Sequence, residues 1–169
     1  MDDGHQWLRD GEKKLVSKAP WWKDGVRFEC QGSGKCCVSR GEFGYVYLTK
    51  EDRVRMAQVL SAKLKKKVST IQFMRQYCAK TDGVWHLKET ENPECIMLEG
   101  GNRCGVYEGR PVQCRTWPFW PEVMGAKAWK NEVAAYCPGV GKGKLHSGEE
   151  IARTIKEQSA WENDLARGK

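Results

Sequence analysis

Short apolar runs broken by glycine, proline and charge dominate this chain, and they predict short elements. Residues 5–19 read as a helix ended by Pro20, with a turn to Gly25. Val26-Arg27-Phe28-Glu29 alternates apolar and charged residues and predicts a strand, as does Tyr45-Val46-Tyr47-Leu48. Thr49, with Asp52 three residues on, predicts a helix start, and Val54, Ala57, Leu60 and Leu64 are expected on its buried face. Ser69 predicts the cap of a second helix through Tyr77. Strands are expected over 84–88 and 95–98. Residues 99–121 read as a loop-rich segment, 126–136 as a helix, and GVGKGK over 139–144 as a flexible linker. Ser147 and Glu150 form a capping box, and Ile151, Ile155, Trp161 and Leu165 then share one stripe about 120° wide at helical spacing. That stripe is expected to pack on the domain.

These elements predict an α+β fold: a small, loop-rich, metal-organised core with short strands and peripheral helices. Three segments are expected: a helix and lead-in over 1–25, a cysteine-cluster domain over 26–140, and a linker with a helix over 141–169. At 169 residues the chain suffices for one domain with a real core. No apolar run reaches membrane-spanning length, and the charged start lacks an apolar signal core. The expectation is a cytoplasmic location, with reduced thiols and no membrane partner.

The eight cysteines change the picture most. Cys30, Cys36 and Cys37 form one group on the glycine loop QGSGK, and Cys95, Cys104 and Cys114 form another across glycine and proline turns. Cys137 follows at an expected helix end, and Cys78 stands alone. In a reducing compartment such grouping points to metal ligation or redox thiols rather than disulfides. Soft thiolates select zinc, copper(I) or iron–sulfur clusters. Neither group has zinc-ribbon or ferredoxin spacing, so spacing alone does not choose the metal. Pro111 is placed as the first residue of a short helix. Cys114 would then lie near its N-terminus, where the dipole, Arg110 and Arg115 favour a thiolate.

The formal charge of +7 invites a nucleic-acid reading. Four thiolates around a divalent metal or a doubly charged four-iron cluster leave roughly −2 per site, however. Part of the basic excess then neutralises the cysteines. Lys35, Arg103 and Arg115 each adjoin one in sequence. The run Lys65-Lys66-Lys67 reads as a solvated helix end, since no aromatic residue interleaves it.

Phe28-x-Cys30-x5-Cys36-Cys37, then Cys95, then Cys104-x-Val106-Tyr107-x2-Arg110-Pro111-x2-Cys114-Arg115-x2-Pro118-Phe119 resembles the YkgJ-type cysteine-cluster family. That family is also called the CxxCxxCC, zinc- or iron-chelating domain. The resemblance spans about residues 26–140. With the grouping above, it implies that Cys30, Cys36, Cys37, Cys95, Cys104, Cys114 and Cys137 are metal ligands; because a four-thiolate site keeps net negative charge, at least one of Arg110 and Arg115 is expected just behind them. One departure stands out: the family's second cysteine corresponds to Ser33, and a serine oxygen is a poor soft-metal ligand. Cys78 is the candidate replacement, or else a core thiol.

His5, His86 and His146 adjoin no cysteine, and His86 reads as a strand side chain. Trp117-Pro118-Phe119-Trp120 is expected mainly to fill core, and secondarily to keep water from a cluster. No phosphate-binding loop, nucleophile elbow or paired-histidine zinc helix is present. The leading expectation is a cysteine-cluster protein binding an iron–sulfur cluster, slightly preferred, or zinc. Two alternatives follow: a redox enzyme or component that works with a partner protein, and a zinc-stabilised basic module for nucleic acid.

Overall fold

The computed structural model describes residues 19–38 and 44–168. The helix expected over 5–19 therefore falls, but for its last residue, outside the described residues, as does His5. Among the described residues, six strands pair antiparallel into three two-stranded sheets. β1 (Val26–Phe28) pairs with β6 (Val140–His146), β2 (Cys78–Thr81) with β3 (Val84–Leu87), and β4 (Leu98–Glu99) with β5 (Arg103–Cys104). Helices α1 (Lys50–Leu64), α2 (Thr70–Tyr77), α3 (Val112–Thr116) and α5 (Gly148–Ala166) surround them. α4 starts as a short α-helix, Ala126–Ala128, and widens into a π-helical turn over Trp129–Ala134. The class is α+β, as the sequence predicts.

The helix starts follow from capping chemistry. Thr49, Ser69 and Ser147 each accept a hydrogen bond from the backbone N–H three residues on, and each capping box is closed by the acid or amide there. The buried face of α1 differs from expectation. Met56, Ala57, Leu60 and the carboxylate of Asp52 point inward, while Val54 and Leu64 are exposed. Val54 lies about 200° around the helix from Asp52, and Leu64 sits in the last turn.

Two apolar clusters result. The first joins Leu48, Met56, Leu60, Phe73, Cys78, Leu87, Met97 and Val106, so it belongs to α1, α2 and the β2–β3 hairpin. The second joins Val26, Phe119, Val123, Met124, Trp129, Val133 and Ile151, with Trp22, Trp117, Trp120 and Cys137 at its edge. The tryptophan-rich segment thus fills core. The stripe of α5 packs as expected, with Ile151 and Trp161 buried.

Asp52 ties α1 to α3 and α5. Its buried carboxylate accepts from the Thr49 N–H and hydroxyl, the Arg55 guanidinium, the Val112 N–H and the Trp161 indole. The sequence reveals Asp52 as a cap. It gives no sign of the two distant donors.

Three expected elements are corrected. The stretch 139–144 is not a linker but most of β6, because β1 needs a hydrogen-bonding partner. Gly141 and Gly143 take positive φ there, and the ladder bulges between Arg27 and Phe28. Residues 45–48 form only a bridge, Tyr47 to His86, flanked by bonds from Leu48 N–H to Trp85 and from Leu87 N–H to Val46. Residues 95–98 are not one strand: Cys95 bridges Glu89, the chain turns, and β4 begins at Leu98.

Candidate metal centre

The cysteines converge because two glycine-built turns meet backbone to backbone. Gly34 has φ 69°, and a Cβ there would lie 2.5 Å from the Gly101 carbonyl oxygen. Only glycine permits both the conformation and the approach. The Cys37 N–H donates to the Gly34 carbonyl and closes the 3-10 turn Lys35–Cys37. Ser33, standing where the family has a cysteine, accepts from the Lys35 N–H through its hydroxyl at 3.4 Å. The Cys95 N–H donates to the Cys37 carbonyl at 2.7 Å, which stitches the first cysteine group to the second. Cys104 sits on β5 opposite Leu98.

Cys114 arrives on α3. Pro111 caps that helix from outside rather than opening it, with ψ 162°. The Val112 N–H is held by Asp52, and the Cys114 N–H donates to the Pro111 carbonyl. α5 grips the same helix from its other side: Gln158 bonds the Thr116 hydroxyl, and Glu157 pairs with Arg115. Arg115 is thus engaged with Glu157, and Lys35 with Tyr136. Arg110 is the cation that acts on the thiols. Its guanidinium lies over the Tyr107 ring at 3.5 Å and lowers the pKa of Cys36, Cys104 and Cys114.

Every pair among Cys36, Cys95, Cys104 and Cys114 lies within mutual electrostatic reach. Cys37 joins them through Cys36, Cys95 and Cys104. The Cys36 and Cys37 sulfurs are 4.0 Å apart. The hydrogen bond between the two sulfurs brings the exposed Cys36 thiol down to about 7, with Arg110 assisting. Cys37 is pushed far up by the same contact and by burial. Burial raises Cys95 to about 11 and also raises Cys104 and Cys114. For Cys114 this reverses the expectation of a favoured thiolate: burial outweighs Arg110, and a five-residue helix supplies little dipole.

Cys78 is buried in the first cluster, and burial raises it to about 11, offset by Arg53 and Lys88. Cys30 is exposed and Cys137 is half-buried. They flank the seam where the Glu29 N–H meets the Gly139 carbonyl and the Tyr136 hydroxyl meets the Lys35 carbonyl. His86 is buried between the Thr81 hydroxyl and the Leu87 carbonyl, stacked on Tyr45. His146 meets the Phe28 carbonyl. Among the described residues, no three Cys, His, Asp or Glu side chains form a closed metal shell. The donors are gathered, not clenched.

That donor chemistry, soft thiols around an arginine, fits zinc or iron. Residues 29–138 match the profile of the CxxCxxCC family, described as a putative zinc- or iron-chelating domain. The match covers more than half of the chain, which therefore belongs to that family. No solved structure matches it. Among the described residues, no helix is long and apolar enough to cross a membrane.

Proposed function

We propose that this protein binds zinc or iron through the thiolates of Cys36, Cys95, Cys104 and Cys114. The observation that carries the reading is that every pair of the four interacts electrostatically, although a 3-10 turn, a bridge, a strand and a helix deliver them. Once one of these thiols ionises, its uncompensated charge raises the pKa of its neighbours. A divalent ion reverses that balance, because it stabilises every thiolate at once. Arg110 then offsets part of the net charge of −2 that four thiolates leave around a divalent ion. The place of Cys78 among apolar side chains supports leaving it out of the set.

The same four ligands satisfy an iron–sulfur cluster, the preferred form on sequence grounds. Anaerobic purification followed by metal analysis and an absorption spectrum tests both forms. Stoichiometric zinc without colour supports the single-ion form, and iron with sulfide and a band near ~400 nm supports the cluster. Protein that retains neither metal and takes up neither on anaerobic reconstitution contradicts the proposal.

A further inference from the structure

We propose a second metal position beside the first, built from Cys36, Cys37, Cys95 and the carboxylate of Glu89, with Cys36 and Cys95 shared between the two. The proposal rests on the four-thiolate reading above and extends it to a two-ion centre in which Glu89 replaces a thiolate.

Backbone register makes the first argument. Glu89 and Cys95 form an antiparallel bridge, flanked by bonds from the Ile96 N–H to the Lys88 carbonyl and from the Thr90 N–H to the Glu94 carbonyl. Those bonds make Glu89 and Cys95 the narrow, non-hydrogen-bonded pair, in which the two Cα atoms are about 4.5 Å apart and the side chains share one face. The Cys95 N–H in turn holds the Cys37 carbonyl at 2.7 Å, so the adjacent cysteines lie against that same strand.

Space and distance make the second. Cys36, Cys37, Glu89 and Cys95 line one cavity of about 10 Å³, together with Val46, Leu87 and Lys88. That is about the room of a single water-sized particle. The Cys36 and Cys37 sulfurs stand 4.0 Å apart. Two thiolates on one tetrahedral zinc, with bonds of about 2.3 Å, are separated by about 3.8 Å. The pair thus already spans one edge of such a site.

Composition makes the third. Ser33 removes one thiolate from the first cysteine group, and its hydroxyl is used in the turn. A carboxylate is a competent zinc ligand where a serine hydroxyl is poor. Five thiolates and one carboxylate carry −6, two divalent ions +4, and the residual −2 faces Arg110.

Anaerobic reconstitution of the full chain with excess zinc(II), read by native mass spectrometry after desalting, tests this. The expected result is two zinc ions per wild-type chain and one in Glu89→Gln. Glu89→Cys restores two and shows that the site is intact in a folded variant. Cobalt(II) substitution adds a spectroscopic readout: loss of the oxygen donor in Glu89→Cys intensifies thiolate-to-cobalt absorption per ion. Two ions in both wild type and Glu89→Gln overturn the proposal. One ion in both overturns it while leaving the four-thiolate reading standing, and no bound ion in wild type overturns both.

Discussion

Cys78 and Cys114 are both driven toward the neutral thiol by burial, yet they belong to regions built on opposite principles. Cys78 lies in a cluster that α1, α2 and the β2–β3 hairpin assemble from aliphatic and aromatic side chains, with both helices capped. Cys114 lies where turns meet: 3-10 segments, a two-residue hairpin and glycines at positive φ. The first region holds itself together by apolar burial, at about 25 cal/mol per Å². The second gathers thiols with little regular structure beneath them and depends on anchors at its edge. A buried cysteine is therefore no sign of a site. Convergence of several is.

The largest expected effect comes from the anchor between the regions. Asp52→Ala strands the Val112 N–H and the Trp161 indole and takes the carboxylate from the Arg55 guanidinium. Breaking such a buried charge network costs about 3–5 kcal/mol. Urea unfolding is expected to show a loss in that range. A loss under about 1 kcal/mol contradicts the role given to Asp52.

Metal removal comes next and separates the two regions. After anaerobic chelation, amide exchange is expected to accelerate over 30–38 and 95–114 while α1 keeps its protection, since metal-binding energy is folding energy only where the metal's ligands lie. Equal acceleration in both regions would erase the contrast.

Gly34→Ala acts on the cysteine side alone. The alanine Cβ meets the Gly101 carbonyl at 2.5 Å, in a left-handed conformation that costs a further ~1 kcal/mol or more. A destabilisation of about 2 kcal/mol and weaker zinc retention against a chelator are expected. A variant that matches wild type in both assays shows that the two turns need not touch.

The smallest effect is in thiol titration of the metal-free protein. Cys36, lowered to about 7 by the Cys37 hydrogen bond, is expected to alkylate with a midpoint near pH 7, and Cys78, raised to about 11, near pH 11. The linked stabilities have opposite signs. The Cys36 contribution is present above the ordinary thiol value of 9.0 and is lost as pH falls through about 7. The Cys78 contribution is full below 9.0 and is lost as pH rises through about 11. Arg110→Gln should move the Cys36 midpoint upward. Mass-resolved alkylation across pH checks all three, and coincident midpoints for Cys36 and Cys78 would refute the assignment.

Much of this contrast was legible in the sequence. Capping at Thr49, Ser69 and Ser147 is written in residues three apart, so α1, α2 and α5 could be read locally. The grouped cysteines and the glycines between them announced a convergence. What could not be read depended on partners far away in the chain. GVGKGK looks like a linker until β1 is found to need it, more than a hundred residues away. Asp52 looks like a cap until Val112 and Trp161 point donors at it. Arg110 and Arg115 looked equivalent, yet Glu157 on α5 takes one and leaves the other to the thiols. Glu89 carries no motif. Only its bridge to Cys95 brings it forward.

The central claim is that Cys36, Cys95, Cys104 and Cys114 hold the metal and Cys78 does not. Metal content per chain, measured on anaerobically purified Cys104→Ser and Cys78→Ser variants beside wild type, tests it most directly. The account predicts that Cys104→Ser loses at least half of its metal while Cys78→Ser retains the wild-type content. Metal retained in Cys104→Ser, or lost in Cys78→Ser while the variant remains folded, would contradict it.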